Sequence, residues 1–166
     1  MSPAPEHRAV VIDTTPLIAL AVATDGLEVL KSLYARVVVP FEVRSELLAA
    51  GKNAIGIAEF ERASWLECGE HPTEIMPVLA NSLDRGEASV IQTALNETIG
   101  LVCIDETVGR RLARLSGLAL TGTIGILVKA HRQGYPIVMR EAIDKMRRHG
   151  IWLSDEVIRF ALAQAR

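Results

Sequence analysis

The chain has 166 residues, 49% of them apolar and only 4% aromatic, so one domain with a single core of mainly Leu, Ile, Val and Ala is expected. A net charge of −2 and a pI near 6.1 exclude a uniformly basic coat for nucleic acid but leave a local basic patch open. Cys68 and Cys103 form neither a C-x-x-C pair nor a zinc-ligand spacing, which fits a reducing compartment.

The N-terminal "MSPAPEHRAV" is polar, with no long apolar region behind it to suggest a signal peptide. The longest apolar stretch, "PLIALAVA", is far short of a membrane span. A cytoplasmic protein without membrane attachment is expected. Residues 1–8 read as a tail, and 9–166 as one domain with a helical extension at its C-terminal end.

From residue 9 onward strands and helices alternate. "AVVID" reads as a buried strand, followed by the helices "PLIALAVAT" and "GLEVLKSLY". "RVVVP" is a second strand, and "FEVRSELLAAG" a helix stopped by Gly51. "NAIGIAEFERAS" reads as helical, "WLECGE" as extended, and a short helix is expected beyond Pro72. Then come the helix "LDRGEASVIQTALNETIG", the strand "LVCID" and the helix "ETVGRRLARLSG". The strand "LALTG" precedes the helix "TIGILVKAHRQG", and the tail offers "REAIDKMRRHG", a brief "IWL" and a helix from Ser154. Short continuous apolar runs between helices predict an α/β fold, a three-layer sandwich of helices, parallel sheet and helices.

Ligand sites in such sheets lie beyond the carboxyl ends of the strands. Asp13 and Asp105 each close a predicted strand there. Each has a plain alternative: Asp105 as the cap of the helix at Glu106, and Asp13 as a turn residue with Thr15 capping before Pro16. In "FEVRSELLAAG" the apolar face is Val43, Leu47 and Ala50. Glu46 lies about 60° from Val43, at the border of that face, while Glu42 is predicted to point further toward solvent. Glu87 falls in the apolar stripe with Ile91 and Ala94, where a lone carboxylate is costly. Asp84 and Glu87 also read as a capping box.

Four acids in one cleft would repel and stay partly protonated unless a divalent cation joined them. With no histidine or cysteine recruited, Mg²⁺ or Mn²⁺ suits such a site, and phosphate chemistry suits such a cation.

On these residues the chain resembles the PIN-domain family, which includes the VapC-like toxin ribonucleases. The resemblance runs over about residues 9 to 122 through "VIDTTPLIAL", "VVVPFEVRSELL", "LDRGEASVIQTAL" and "LVCIDETVGRRLA". It implies Asp13, Glu46, Glu87 and Asp105 as catalytic, metal-binding acids, with Thr15 positioning water or phosphate. It further implies an RNA substrate, a cognate antitoxin and a homodimer. Two positions depart from the family pattern. Cys103 stands where Ser or Thr often precedes the fourth acid, and Glu87 stands where Asp is often the third.

The remaining signals are weaker. His7, His71, His131 and His149 show no ligand spacing, and no Walker or G-x-S-x-G motif is present. "LTGTIG" could offer backbone N–H groups to a phosphate, against a turn-and-cap reading. Arg110 and Arg114 are predicted on a solvated basic face opposite Val108, Leu112 and Leu115, with "KMRRH" a similar run further on. Two rival functions stand beside the ribonuclease: a non-catalytic nucleic-acid or protein-binding module, and an aspartyl-phosphate phosphatase. The second usually wants an acid where Thr15 stands.

Overall fold

A computed structural model describes residues 7–166. Most of the predicted tail therefore lies outside the described residues. Five strands form one sheet: β1 (Ala9–Ile12), β2 (Arg36–Val39), β3 (Glu67–Cys68), β4 (Leu101–Cys103) and β5 (Ala119–Thr121). Their order is β3-β2-β1-β4-β5, and every pairing is parallel. Residues along a strand alternate between the two faces, yet Val10, Val11 and Ile12 are all fully buried, so helices cover both faces.

The first half of the chain carries α1 (Thr14–Thr24), α2 (Glu28–Leu33), α3 (Phe41–Ala49), α4 (Ile57–Arg62) and α5 (Pro77–Ser82). The second half carries α6 (Arg85–Glu97), α7 (Thr107–Leu115), α8 (Thr123–Arg132), α9 (Met139–Arg148) and α10 (Asp155–Gln164). Helix α6 packs on β1 and β4 and gathers α3, α5 and α7 around it. Helix α1, apolar on nearly every side, packs against α8 and α9. Among the described residues, no helix is long and apolar enough to cross a membrane.

Two expectations about helix faces are overturned, one of them in part. Glu42 does not face solvent; it is buried, and its carboxylate accepts from the Thr73 N–H at 2.6 Å and hydroxyl at 2.9 Å. The loop around Thr73 folds over that side of α3, which a wheel of one helix cannot foresee. On α7 the expected faces hold only in part: Leu112 packs against the core and Arg114 is exposed, as expected. The helix buries Gly109 and Ala113, leaving Val108 and Leu115 exposed. Arg110 turns inward, and its Nη1 donates to the carbonyls of Ile104 at 2.7 Å and Thr121 at 3.2 Å. It ties together the chain just beyond β4 and the end of β5. Small residues win the inner face because the helix must lie close to the chain leaving β4. A Cβ on Gly109 would stand 3.0 Å from Ile104.

Cys103 is fully buried in β4, and burial first, then the nearby Asp105 and Asp13 charges, push its thiol well above the usual range. Cys68, at the sheet edge, is half-buried and is also raised by burial. A thiol reagent should therefore titrate Cys68 slowly and leave Cys103 untouched in the folded protein, with both reacting once denaturant is added. Mass mapping of the modified residue decides this, and early labelling of Cys103 would contradict the fold.

Candidate metal centre

Parallel strands place every strand-to-helix turn at one edge of the sheet. The order in which strands are added reverses between β1, from which the chain proceeds outward to β2 and β3, and β4, from which it proceeds the other way to β5. Such a switch point leaves a crevice at the carboxyl edge. Asp13 follows β1 at its lip and is only 4% exposed. It also caps α1, its Oδ1 accepting from Thr14 N–H at 2.8 Å. The cap is thus Asp13 itself and not Thr15, which lies exposed one residue inside the helix.

Glu87 reaches the same crevice because α6 packs over β1 and β4. It is 8% exposed, and among the described residues no hydrogen-bond donor or basic side chain meets its carboxylate. Asp84 caps α6, its Oδ1 accepting from the Glu87 N–H at 2.9 Å. Half of the expected capping box is present: the backbone of Glu87 serves it, while its carboxylate is left for the crevice.

Glu46 comes from α3, which packs against α6. The residue is exposed overall, but its Oε2 accepts from the Thr14 hydroxyl at 3.0 Å. The meeting point is Gly86. A Cβ there would lie 2.8 Å from Oε2 of Glu46, 3.5 Å from Oδ1 of Asp13 and 3.6 Å from Oδ1 of Asp84. Any side chain at Gly86 would fill the space between these carboxylates.

Asp105 is turned to a different partner. It does not cap α7, where Glu106 holds that place. Its carboxylate takes the Thr123 N–H at 2.8 Å and hydroxyl at 2.6 Å, at the start of α8. The helix N-terminus considered for phosphate therefore already holds an anion, the protein's own. Two cavities reflect the division. One of about 400 Å³ is lined by Glu46, Asp84, Arg85 and Gly86; a larger one of about 900 Å³ is lined by Thr15, Asp105, Arg110 and the exposed Trp152.

Electrostatics single out two acids. Burial pushes Asp13 up to about 7; the Thr14 N–H opposes this, while Glu87, Asp84 and Glu46 add to it. Burial likewise raises Glu87 to about 7, with Asp84, Glu106 and Glu46 adding their charges. Among the described residues, no three Asp, Glu, His or Cys side chains are drawn close enough to grip an ion as they stand. The donor chemistry nonetheless fits Mg²⁺ or Mn²⁺: the donors are all oxygen, and Asp13 and Glu87 are buried residues whose carboxylates meet no cationic side chain among the described residues. Sequence reasoning treated Asp84 only as a cap and overlooked Thr14 and Gly86. The Gly placed directly before Glu87 is the signal that pointed to them.

Raised carboxylate pKa values have a thermodynamic consequence. The folded protein retains protons on Asp13 and Glu87 that the unfolded chain releases near pH 4. Their contribution to stability is complete below that pH and is lost as pH rises through about 7. In chelator, Asp13→Asn should therefore gain melting temperature over the parent between about pH 5 and about pH 8.5. Parallel melting profiles for the two proteins across that range would refute the shift.

A sequence profile described as PIN domain matches residues 9–166. No curated protein matches the chain. The profile covers the whole sheet and every acid discussed above, so the chain belongs to the PIN-domain family, a nuclease fold.

Proposed function

We propose that the protein is a divalent-metal-dependent ribonuclease, with Asp13, Glu46, Glu87 and Asp105 as its acids. The observation that carries this reading is the pair Asp13 and Glu87, two buried carboxylates at the switch point without a cationic partner. Surroundings that raise a carboxylate so far are characteristic of functional sites. A non-catalytic member of the fold would have no need of that cost.

When bound, Mg²⁺ or Mn²⁺ supplies activation of water and offset of charge on a phosphodiester. Asp13 and Glu87 would hold it, with Glu46 completing the set from α3. The residues of the chain then position the rest. Thr14 fixes Asp13 through its N–H and Glu46 through its hydroxyl, so one residue sets the separation of two acids. Asp105, held by Thr123, borders the larger cavity together with Thr15. An RNA strand lying there would meet the exposed Thr15 hydroxyl with a phosphate oxygen. Arg85, exposed beside Glu46, offers a second phosphate contact on the other side. Beyond the chemistry, we read the protein as a VapC-like toxin, neutralised by a cognate antitoxin, acting as a cytoplasmic homodimer. That part of the reading is supported by the motif resemblance.

Asp13→Asn tests the centre. The amide can still accept from Thr14 N–H, so the cap survives while the charge is lost. Cleavage of an RNA panel in Mg²⁺ or Mn²⁺ should slow by about 10²–10³-fold, with no fall in melting temperature. An RNA cut equally fast by parent and folded variant would exclude Asp13 from the reaction. Retained RNA binding with no cleavage by the parent in either metal would favour a binding module instead.

A further inference from the structure

We propose that the larger cavity seats a nucleobase of single-stranded RNA, stacked on Trp152 and Phe160 next to the reacting phosphate. This rests on the ribonuclease reading above and names the form of RNA and the groups that hold it. Of the three Phe, two Trp and two Tyr in the chain, only Trp152 and Phe160 are exposed, at 83% and 50%. Both line the cavity of about 900 Å³ that also takes in Asp105 and Thr15. The fold sets both outward. Ile151 and Leu153, on either side of Trp152, pack against the core, and the indole between them is left to the cavity. On α10, Ile158, Ala161, Leu162 and Ala165 recur at helical spacing on the face turned to the core. Val157 and Phe160 lie on another side of that helix and line the cavity instead. Aromatic groups gathered in one cavity and left open to water mark a binding surface.

The rest of the lining selects the occupant. Glu106 and Glu156 border the same cavity, and closing it with a lipid surface or the apolar face of a second copy would bury those charges unpaired. A nucleobase suits both kinds of lining. Its π-face stacks on the indole and the phenyl ring, and its edge carries N–H donors for the carboxylates. In a duplex that face and edge are already engaged, so a single strand is required. Arg110, the basic residue of the lining, is committed to two carbonyls, so the phosphates must find their cations elsewhere. Met146 and Ile151 line the cavity, and the turn between them carries the exposed Arg147, Arg148 and His149. That basic run, unused by the acidic centre, gives the sugar-phosphate backbone a rim to follow. A base held on Trp152 and Phe160 then sets which phosphate of the strand reaches Asp105 and Thr15.

The test is binding of an unstructured RNA of about ten nucleotides to the full chain in chelator, where metal-dependent cleavage is stopped. Trp65→Phe leaves Trp152 as the only indole. Its emission should be quenched as the RNA binds, and should not respond to inorganic polyphosphate, which has no bases. Trp152→Ala should weaken the RNA at least about fivefold, and Trp152→Phe by less than about threefold. Both should melt like the parent, because the side chain is exposed. The proposal is overturned if Trp152→Ala binds the RNA as tightly as the parent, if no quenching occurs, or if the parent binds no single-stranded RNA. It also falls if Trp152→Ala dissociates a dimer of the parent in sedimentation at unchanged RNA affinity, since the cavity then belongs to a second copy. Cleavage assays test the underlying reading separately. A parent that cuts RNA in Mn²⁺ while Trp152→Ala binds it normally keeps the ribonuclease and loses the stacking site. A parent that binds RNA through Trp152 but cuts nothing in either metal keeps the stacking site and loses the ribonuclease.

Discussion

Repulsion among carboxylates at the carboxyl edge of the sheet is the constraint around which the rest of this fold is arranged. Asp13 and Glu87 are both buried, both free of basic partners, and close enough to raise Asp13 further. Neither can move away. Asp13 is fixed by the pairing of β1 with β2 and β4, and its own N–H bonds the Cys103 carbonyl at 3.1 Å. Glu87 is fixed by the packing of α6 over the same two strands. The core that stabilises the fold is what holds the charges together, so stability and the strained site share one source.

Small residues make the crowding possible. Gly86 leaves the space that three carboxylate oxygens border, and Gly109 lets α7 lie against Ile104 and near the carboxyl group of Glu87. A methyl at either position would have to displace its neighbours. Thr14 has a complementary role, since its two donors hold Asp13 and Glu46 in fixed relation although 32 residues separate it from Glu46.

Much of this was legible in the sequence, and the failures have physical causes. The strands were readable because a parallel sheet covered on both faces needs unbroken apolar runs, which "AVVI" and "RVVV" supply. Asp13 and Asp105 were readable as strand-end acids, and Glu87 as an acid in an apolar stripe. Glu42 was misjudged because its burial comes from a loop 31 residues away. Val108 and Leu115 on α7 were misplaced because periodicity counts hydrophobicity, whereas the interface demanded the small volumes of Gly109 and Ala113. Arg110 was misplaced for a related reason: strand ends leave carbonyls that need donors, and a guanidinium can supply them from within. Those demands arise only once elements meet.

How the folded chain tolerates its acids follows from the order of its strands and helices. In a parallel sheet each strand is followed by a helix whose N-terminus starts at the same edge. Three of the acids stand at such starts: Asp13 at α1, Asp84 at α6 and Asp105 at α8. Each accepts a backbone N–H there, and the helix dipole favours negative charge at that end. These three are therefore partly compensated by the backbone itself. Glu46 is relieved by exposure and by the Thr14 hydroxyl. Glu87 alone has no donor to its carboxylate among the described residues, and Asp13, though capped, is the more deeply buried of the two. The uncompensated charge is thereby concentrated on the pair at the switch point, the place where the fold leaves a crevice for a ligand.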